Sequence, residues 1–192
     1  MGKTIVCFGD SNTWGYDPGS FFGDPYPAAD RWPELLAART GYTVINEGQN
    51  GRRIPFTRPE MRDAVRRIGV PSPDLLILML GTNDLLGESE LSPEQAGERM
   101  AAFLHRLREE LPALPILLIA PPKVELPLAW LQQAMRDLAD VYRELAVKEG
   151  LFFASALGWE LPLAFDGVHL SPAANHGFAE ALERFLKEEV FP

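Results

Sequence analysis

The chain has 192 residues, of which 46% are hydrophobic and 23% are charged, so it can bury an apolar core without disulfides or bound metals. Its formal net charge of -9 disfavours binding to nucleic acid or to anionic membrane surfaces. No linker-like tract, repeat or low-complexity run divides it, and we expect one domain over residues 1–192. No apolar run approaches the about 20 residues of a membrane span, and no signal-peptide core follows Met1, which predicts a cytoplasmic protein.

Five short runs rich in Ile, Val, Leu and Phe are typical of strands buried on both faces, because they do not alternate with polar residues. They are 4–8, 42–46, 75–80, 115–120 and 151–154, of which 42–46 is the weakest. The single cysteine, Cys7, lies inside the first run and is expected to act as a small buried hydrophobe.

Segments of helical periodicity separate these runs, and their ends carry helix start and stop signals. We expect helices from Pro33 to Gly41, after the capping box 92–95, from Trp130 to Gly150, and after Ser171-Pro172. Alternating strands and helices indicate parallel strands joined by right-handed crossovers. The sequence therefore predicts a three-layer α/β/α sandwich with a five-stranded parallel sheet.

Ligands bind such sheets beyond the carboxyl ends of the strands, where this sequence has clusters of polar residues and glycine. The clusters are Gly9-Asp10-Ser11-Asn12, then 46–51, Gly81-Thr82-Asn83-Asp84, and 166–169. A serine hydroxyl needs a neighbouring base to become a nucleophile, and it needs donors for the oxyanion that its attack creates. Among the three histidines, His169 is the candidate base because Asp166 precedes it at i-3, whereas His105 and His176 lie within predicted helices.

These blocks, in this order, resemble the SGNH (GDSL-type) hydrolase superfamily. The match consists of Gly9-Asp10-Ser11-Asn12, Asn50-Gly51, 81–84 and 166–171, and the segment 9–15 is similar to the bacterial arylesterase and acyltransferase branch. Asn12 stands where the short name of the family has leucine. The resemblance implies a flavodoxin-like α/β fold and an esterase that hydrolyses short-chain acyl esters through an acyl-serine intermediate, with acyl transfer to alcohols as a further activity.

The resemblance also implies a role for each matching residue. Ser11 is the expected nucleophile, His169 the general base and Asp166 the carboxylate that orients it. The backbone N–H groups of Ser11 and Gly51 and the side-chain amide of Asn83 are the expected oxyanion-hole donors. A glycine at 51 suits close approach to substrate, and an asparagine at 83 donates without ionising.

Three other features of the sequence concern the surroundings of this site. Asp10 and Asp84 are each expected to hydrogen-bond the backbone of their own turn. Trp14 is a candidate substrate-binding residue, together with the aromatic side chains of the loop 15–31. The same loop could instead pack on the domain or against another subunit of a homo-oligomer.

The residues leave several alternatives open. The natural ester could be that of a carbohydrate acetylesterase, or of a thioesterase or lysophospholipase of the same family. A binding module without catalysis could keep the fold, and a metal-dependent hydrolase could use Asp10, Asp84, Asp166 and His169 as ligands. Because the chain has no Cys/His cluster, we expect neither a metal nor a cofactor, and a small-molecule ester as the partner.

Overall fold

The computed structural model describes residues 2–87 and 91–192, and at its centre is a five-stranded sheet whose strands are all parallel. The strands are β1 (Thr4–Gly9), β2 (Thr43–Gly48), β3 (Leu75–Met79), β4 (Ile116–Ala120) and β5 (Phe152–Ser155). Each lies within two residues of the predicted run, which confirms the strand assignments. The spatial order β2-β1-β3-β4-β5 is the flavodoxin-like order.

Helices connect the strands and cover both faces of the sheet. They are α1 (Ser11–Trp14), α2 (Trp32–Thr40), α3 (Arg58–Gly69), α4 (Thr82–Leu86), α5 (Pro93–Glu110), α6 (Ala129–Glu149) and α7 (Pro172–Phe185). The predicted capping signals act as expected at α5, where Ser92 Oγ accepts a hydrogen bond from the Gln95 N–H, and at α6, which ends at left-handed Gly150.

Helix α3 is absent from the sequence-based prediction. Half of its twelve residues are charged, and its buried residues are Ala64, Val65 and Ile68. A capping box formed by Thr57 and Glu60 marks its start and is the signal that could have revealed it.

Side chains of alternate strand residues point into two separate cores. Val6 and Phe8 of β1 face the layer formed by α3, α5 and α6, whereas Ile5 and Cys7 face the layer formed by α2 and α7. Cys7 is fully buried, as predicted, and burial raises the pKa of its thiol. This arrangement is the predicted three-layer sandwich.

The strand order determines which loops meet. Gly9, the last residue of β1, pairs with Gly48 of β2 on one side and with Met79 of β3 on the other. A Cβ on Gly48 would lie 2.1 Å from the Trp14 backbone nitrogen, so only glycine permits this approach of α1 to β2. The loops after β1, β2 and β3 therefore share one edge of the sheet, where the chain order reverses.

Candidate active site

Ser11 is the first residue of a single helical turn that directly follows β1. Asp10 caps this turn, since its Oδ1 accepts a hydrogen bond of 2.9 Å from the Asn12 N–H. Gly15 ends the turn in the left-handed conformation, with φ of 86°. Ser11 is only 9% exposed, and its hydroxyl lies at the carboxyl edge of the sheet.

Ser11, His169 and Asp166 form a continuous hydrogen-bonded chain. His169 Nε2 lies 2.9 Å from Ser11 Oγ, and His169 Nδ1 lies 2.5 Å from Asp166 Oδ2. An ionised carboxylate can only accept, so Nδ1 carries the proton and Nε2 is free to accept from the serine hydroxyl. The structure thus brings the neighbouring pair Asp166 and His169 to Ser11, which lies 158 positions from His169 in the sequence.

Asp166 also fixes the loop that carries His169. Its Oδ1 accepts hydrogen bonds of 3.1 Å from the N–H groups of Val168 and His169. Burial alone would raise the pKa of Asp166, but these hydrogen bonds and the one from the His169 side chain outweigh it, so the net pKa is lowered. The carboxylate therefore remains ionised at neutral pH.

The predicted oxyanion donors lie in the loops after β1, β2 and β3. Gly51 is exposed and has φ of 69°, a left-handed conformation that favours glycine. Within residues 2–87 and 91–192, neither the Ser11 N–H nor the Gly51 N–H has a hydrogen-bond partner. Asn83 Nδ2 donates one hydrogen bond of 3.0 Å to the Arg52 carbonyl oxygen and carries a second hydrogen.

Arg52 holds the loop of Gly51 against the sheet. Its guanidinium donates to the Gly9 carbonyl oxygen at 3.0 Å, to the Glu47 carbonyl oxygen, and to Gln49 Oε1 at 3.1 Å. It also lies over the Phe8 ring, 4.0 Å from the ring centroid. Burial lowers the pKa of Arg52 to about 10, so it remains charged at neutral pH.

Asp10 and Asp84, which were both expected to hydrogen-bond the backbone of their own turns, have different hydrogen-bond partners. The prediction for Asp10 is confirmed by its bond to the Asn12 N–H, and burial raises the pKa of Asp10 to about 7. The prediction for Asp84 is wrong, because its carboxylate accepts from the Ile54 N–H at 3.0 Å and from Arg99 at 3.3 Å. The buried side chain of Asp84 therefore joins α4 to the β2–α3 loop and to α5. Only the backbone N–H of Asp84 bonds within its own turn, at the Gly81 carbonyl oxygen.

Aromatic side chains flank His169. The Tyr16 ring packs against the His169 imidazole with centroids 4.5 Å apart, and Trp14 stacks on Tyr16 at 6.5 Å. Phe21 is 94% exposed and Phe165, next to Asp166, is 84% exposed. Sequence reasoning assigned Trp14 to the site but missed the direct contact of Tyr16 with the imidazole, which no local pattern signals.

The other two histidines of the chain are not part of this hydrogen-bonded chain of side chains. His105 and His176 are exposed, and their imidazoles face Glu109 and Asp30 rather than Ser11. In the part of the chain that the structure describes, no group of three or more His, Cys, Asp or Glu is arranged to hold a metal ion. None of the helices in that part is both long enough and apolar enough to cross a membrane.

A serine hydroxyl bonded to an imidazole, which in turn bonds a carboxylate, at the carboxyl edge of an α/β sheet, is the arrangement of serine hydrolases. Residues 7–176 match the GDSL-like lipase/acylhydrolase family. The chain belongs to this family and is a carboxylic ester hydrolase. The resemblance found in the four sequence blocks is thereby confirmed.

Solved structures with the same fold include two esterases. The native aryl esterase of M. smegmatis is 26% identical, with a TM-score of 0.84, and the match covers 96% of this chain and 98% of that chain. A carbohydrate acetylesterase from Sinorhizobium meliloti is 27% identical, with a TM-score of 0.80 and the same coverage of 96% and 98%. Among curated proteins, no sequence matches this chain.

Proposed function

We propose that Ser11 is the nucleophile of an esterase that cleaves short-chain acyl esters, with His169 as general base and Asp166 as the group that orients it. One observation carries the proposal: His169 bridges Ser11 Oγ at 2.9 Å and Asp166 Oδ2 at 2.5 Å, through different ring nitrogens. This geometry gives the serine proton an acceptor and keeps the imidazole in the tautomer that can accept it.

The reaction has two halves. In the first, His169 Nε2 takes the proton of Ser11 as Oγ bonds to the carbonyl carbon of the ester. The tetrahedral intermediate then collapses, and the same proton passes to the oxygen of the leaving alcohol, which leaves an acyl-serine. In the second half, His169 takes a proton from water as the water oxygen attacks the acyl carbon. When this second tetrahedral intermediate collapses, the bond from Oγ to the acyl carbon breaks, His169 returns that proton to Ser11 Oγ, and the carboxylic acid is released. An alcohol in place of water gives acyl transfer.

The negative charge of each tetrahedral intermediate requires donors that are already in position. We propose the N–H groups of Ser11 and Gly51 and the second Nδ2 hydrogen of Asn83. Two features support this assignment. The first two groups have no partner among the described residues. Arg52, the neighbour of Gly51, bonds β1 through its guanidinium at the Gly9 carbonyl oxygen and accepts from Asn83 Nδ2 through its own carbonyl oxygen.

The substrate class follows from the relatives and from the aromatic side chains. The two related structures are named as an aryl esterase and a carbohydrate acetylesterase, which supports a short acyl group and leaves the alcohol open. Tyr16 packs on His169 and Trp14 stacks on Tyr16, and we propose that these aromatic side chains contact the alcohol part of a small ester. The thioesterase or lysophospholipase alternative, acyl transfer, homo-oligomerisation, a single domain and a cytoplasmic location stay predictions.

Two candidates from other classes have less support. A binding module without catalysis has no need for a serine bonded to a histidine and carboxylate. In a metal-dependent hydrolase, Asp84 would be a ligand, yet its carboxylate is committed to Ile54 and Arg99.

The test is hydrolysis of an activated acetyl ester with and without a chelator. We expect turnover that the chelator does not change and that is lost in Ser11→Ala. Ser72→Ala is the matched control, because Ser72 is exposed and precedes β3 at the opposite edge of the sheet. No turnover above buffer, complete loss with chelator, or full activity of Ser11→Ala would each contradict the proposal.

A further inference from the structure

The side chain of Asn12 bridges two elements of the site that are distant in sequence. Its Oδ1 accepts a hydrogen bond of 2.9 Å from the Leu170 N–H, and its Nδ2 donates one of 3.3 Å to the Val168 carbonyl oxygen. Val168 and Leu170 are the two neighbours of His169. The side chain next to the nucleophile therefore holds the backbone on both sides of the base.

This bridge is buried and anchored. Asn12 is 5% exposed, so its hydrogen bonds face little competition from water. Its own carbonyl oxygen accepts from Trp32 Nε1 at 3.0 Å. Trp32 also links Asn12 to Asn175, whose Oδ1 accepts from the Trp32 N–H at 3.1 Å and whose Nδ2 donates to the Ser171 carbonyl oxygen at 3.1 Å.

The side chain of Asn12 is not needed to form the turn in which it lies. Asp10 already caps that turn, and the backbone N–H groups of Thr13 and Trp14 bond the Asp10 carbonyl oxygen. Leucine, which gives the family its short name at this position, has nearly the same branched shape but can make neither hydrogen bond. The polar atoms of Asn12 thus serve the contact with the loop of His169.

We propose that Asn12 is a positioning residue, which fixes the distance between His169 Nε2 and Ser11 Oγ. The proposal rests on the proposed roles of Ser11 and His169. Proton transfer requires these atoms within hydrogen-bond reach, and a displacement of about 1 Å can lower the rate about 10²-fold. Asp166 orients the imidazole within its own loop, whereas Asn12 sets where that loop stands relative to the nucleophile.

The test compares Asn12→Leu with Thr13→Val. Thr13 is the matched control, because it is the next residue of the turn, is equally buried, and its hydroxyl has no hydrogen-bond partner among the described residues. In Asn12→Leu we expect kcat to fall about 10²-fold while KM changes much less, because the substitution leaves the proposed substrate-binding side chains and oxyanion donors unchanged. Thr13→Val should keep kcat near the wild-type value.

A second variant and a measurement on the unmodified protein keep the test decisive. Asn12→Ala introduces no steric clash and should lose kcat in the same way, with its fold checked by near-UV circular dichroism. In the wild type, the Leu170 amide should exchange its hydrogen slowly. A folded Asn12→Leu or Asn12→Ala with kcat within about twofold of wild type, an equal loss in Thr13→Val, or a rapidly exchanging Leu170 amide would overturn the proposal.

Failure of this inference can be distinguished from failure of the proposed function. If wild type turns over the ester and Ser11→Ala does not, the proposed function stands whatever the Asn12 variants do. If Ser11→Ala is fully active, the proposed function fails and the role of Asn12 fails with it.

Discussion

Replacing Asp166 by asparagine should change the tautomer of His169 without disturbing its loop. Asp166 Oδ1 accepts from two backbone N–H groups, those of Val168 and His169, and Oδ2 faces His169 Nδ1. In Asp166→Asn the amide oxygen should take the Oδ1 position, because the reverse orientation would set an NH₂ against two N–H donors. The amide nitrogen then faces Nδ1 and donates to it.

The expected loss of activity is large but incomplete. With Nδ1 as the acceptor, the proton moves to Nε2, which can no longer accept the proton of Ser11. Such a change of tautomer lowers kcat by about 10⁴ in a serine hydrolase, or about 5 kcal/mol of transition-state stabilisation. Residual turnover should persist through the minority of molecules with the correct tautomer and through the oxyanion donors.

The assay is steady-state hydrolysis of an activated acetyl ester, with thermal unfolding followed by circular dichroism. Asp166→Ala removes both functions of the carboxylate and should lose thermal stability as well as activity, while Asp140→Asn, an exposed change on α6, controls for the loss of one charge. A loss smaller than about tenfold in Asp166→Asn would refute the tautomer argument. So would an Asp166→Asn as inactive as Ser11→Ala while His169→Ala stays near wild type.

Two further predictions concern neighbouring loops. Asn83→Ala should lower kcat by about 10²–10³ with a smaller change in KM, because it removes one proposed donor to the oxyanion; steady-state kinetics on the folded variant check this, and unaltered kcat would remove Asn83 from the mechanism. Burial raises the pKa of Asp10 to about 7, whereas an aspartate in the unfolded chain has its ordinary pKa of about 3.9. The folded state therefore binds this proton more tightly than the unfolded state and loses stability as the pH rises between these values. Relative to wild type, Asp10→Asn should therefore gain stability from pH 4 to pH 8, on the order of 4 kcal/mol, in urea unfolding at both pH values; a difference that does not change with pH would contradict this.

The strands and the polar residues that follow them could be predicted from the sequence. Strands buried on both faces are continuous apolar runs, and the carboxyl ends of parallel strands meet at one edge. These two rules predict that Ser11 and Asn83 lie at the same edge of the sheet. The pairing of His169 with Asp166 followed from their spacing of three residues.

Other features depend on tertiary contacts that leave no local pattern. Helix α3 is the exception: Met61, Ala64, Val65 and Ile68 recur at helical spacing after the capping box of Thr57, and the sequence analysis missed this local signal. The bond from Asp84 to Ile54 and the packing of Tyr16 on His169 join segments whose approach is set by the sheet order. The contacts of Asn12 leave no local pattern either, because its side chain bonds Val168 and Leu170, which lie 156 and 158 positions further along the chain.

The most direct test of the account is the reaction of the protein with an activated organophosphonate ester, which phosphonylates a nucleophilic serine as its own leaving group departs, followed by mass spectrometry of the digested chain. The account predicts one adduct per chain, on Ser11, with no adduct in Ser11→Ala and a much slower reaction in His169→Ala. An adduct on another residue, or labelling of Ser11→Ala at the wild-type rate, would contradict the assignment of Ser11 as the nucleophile.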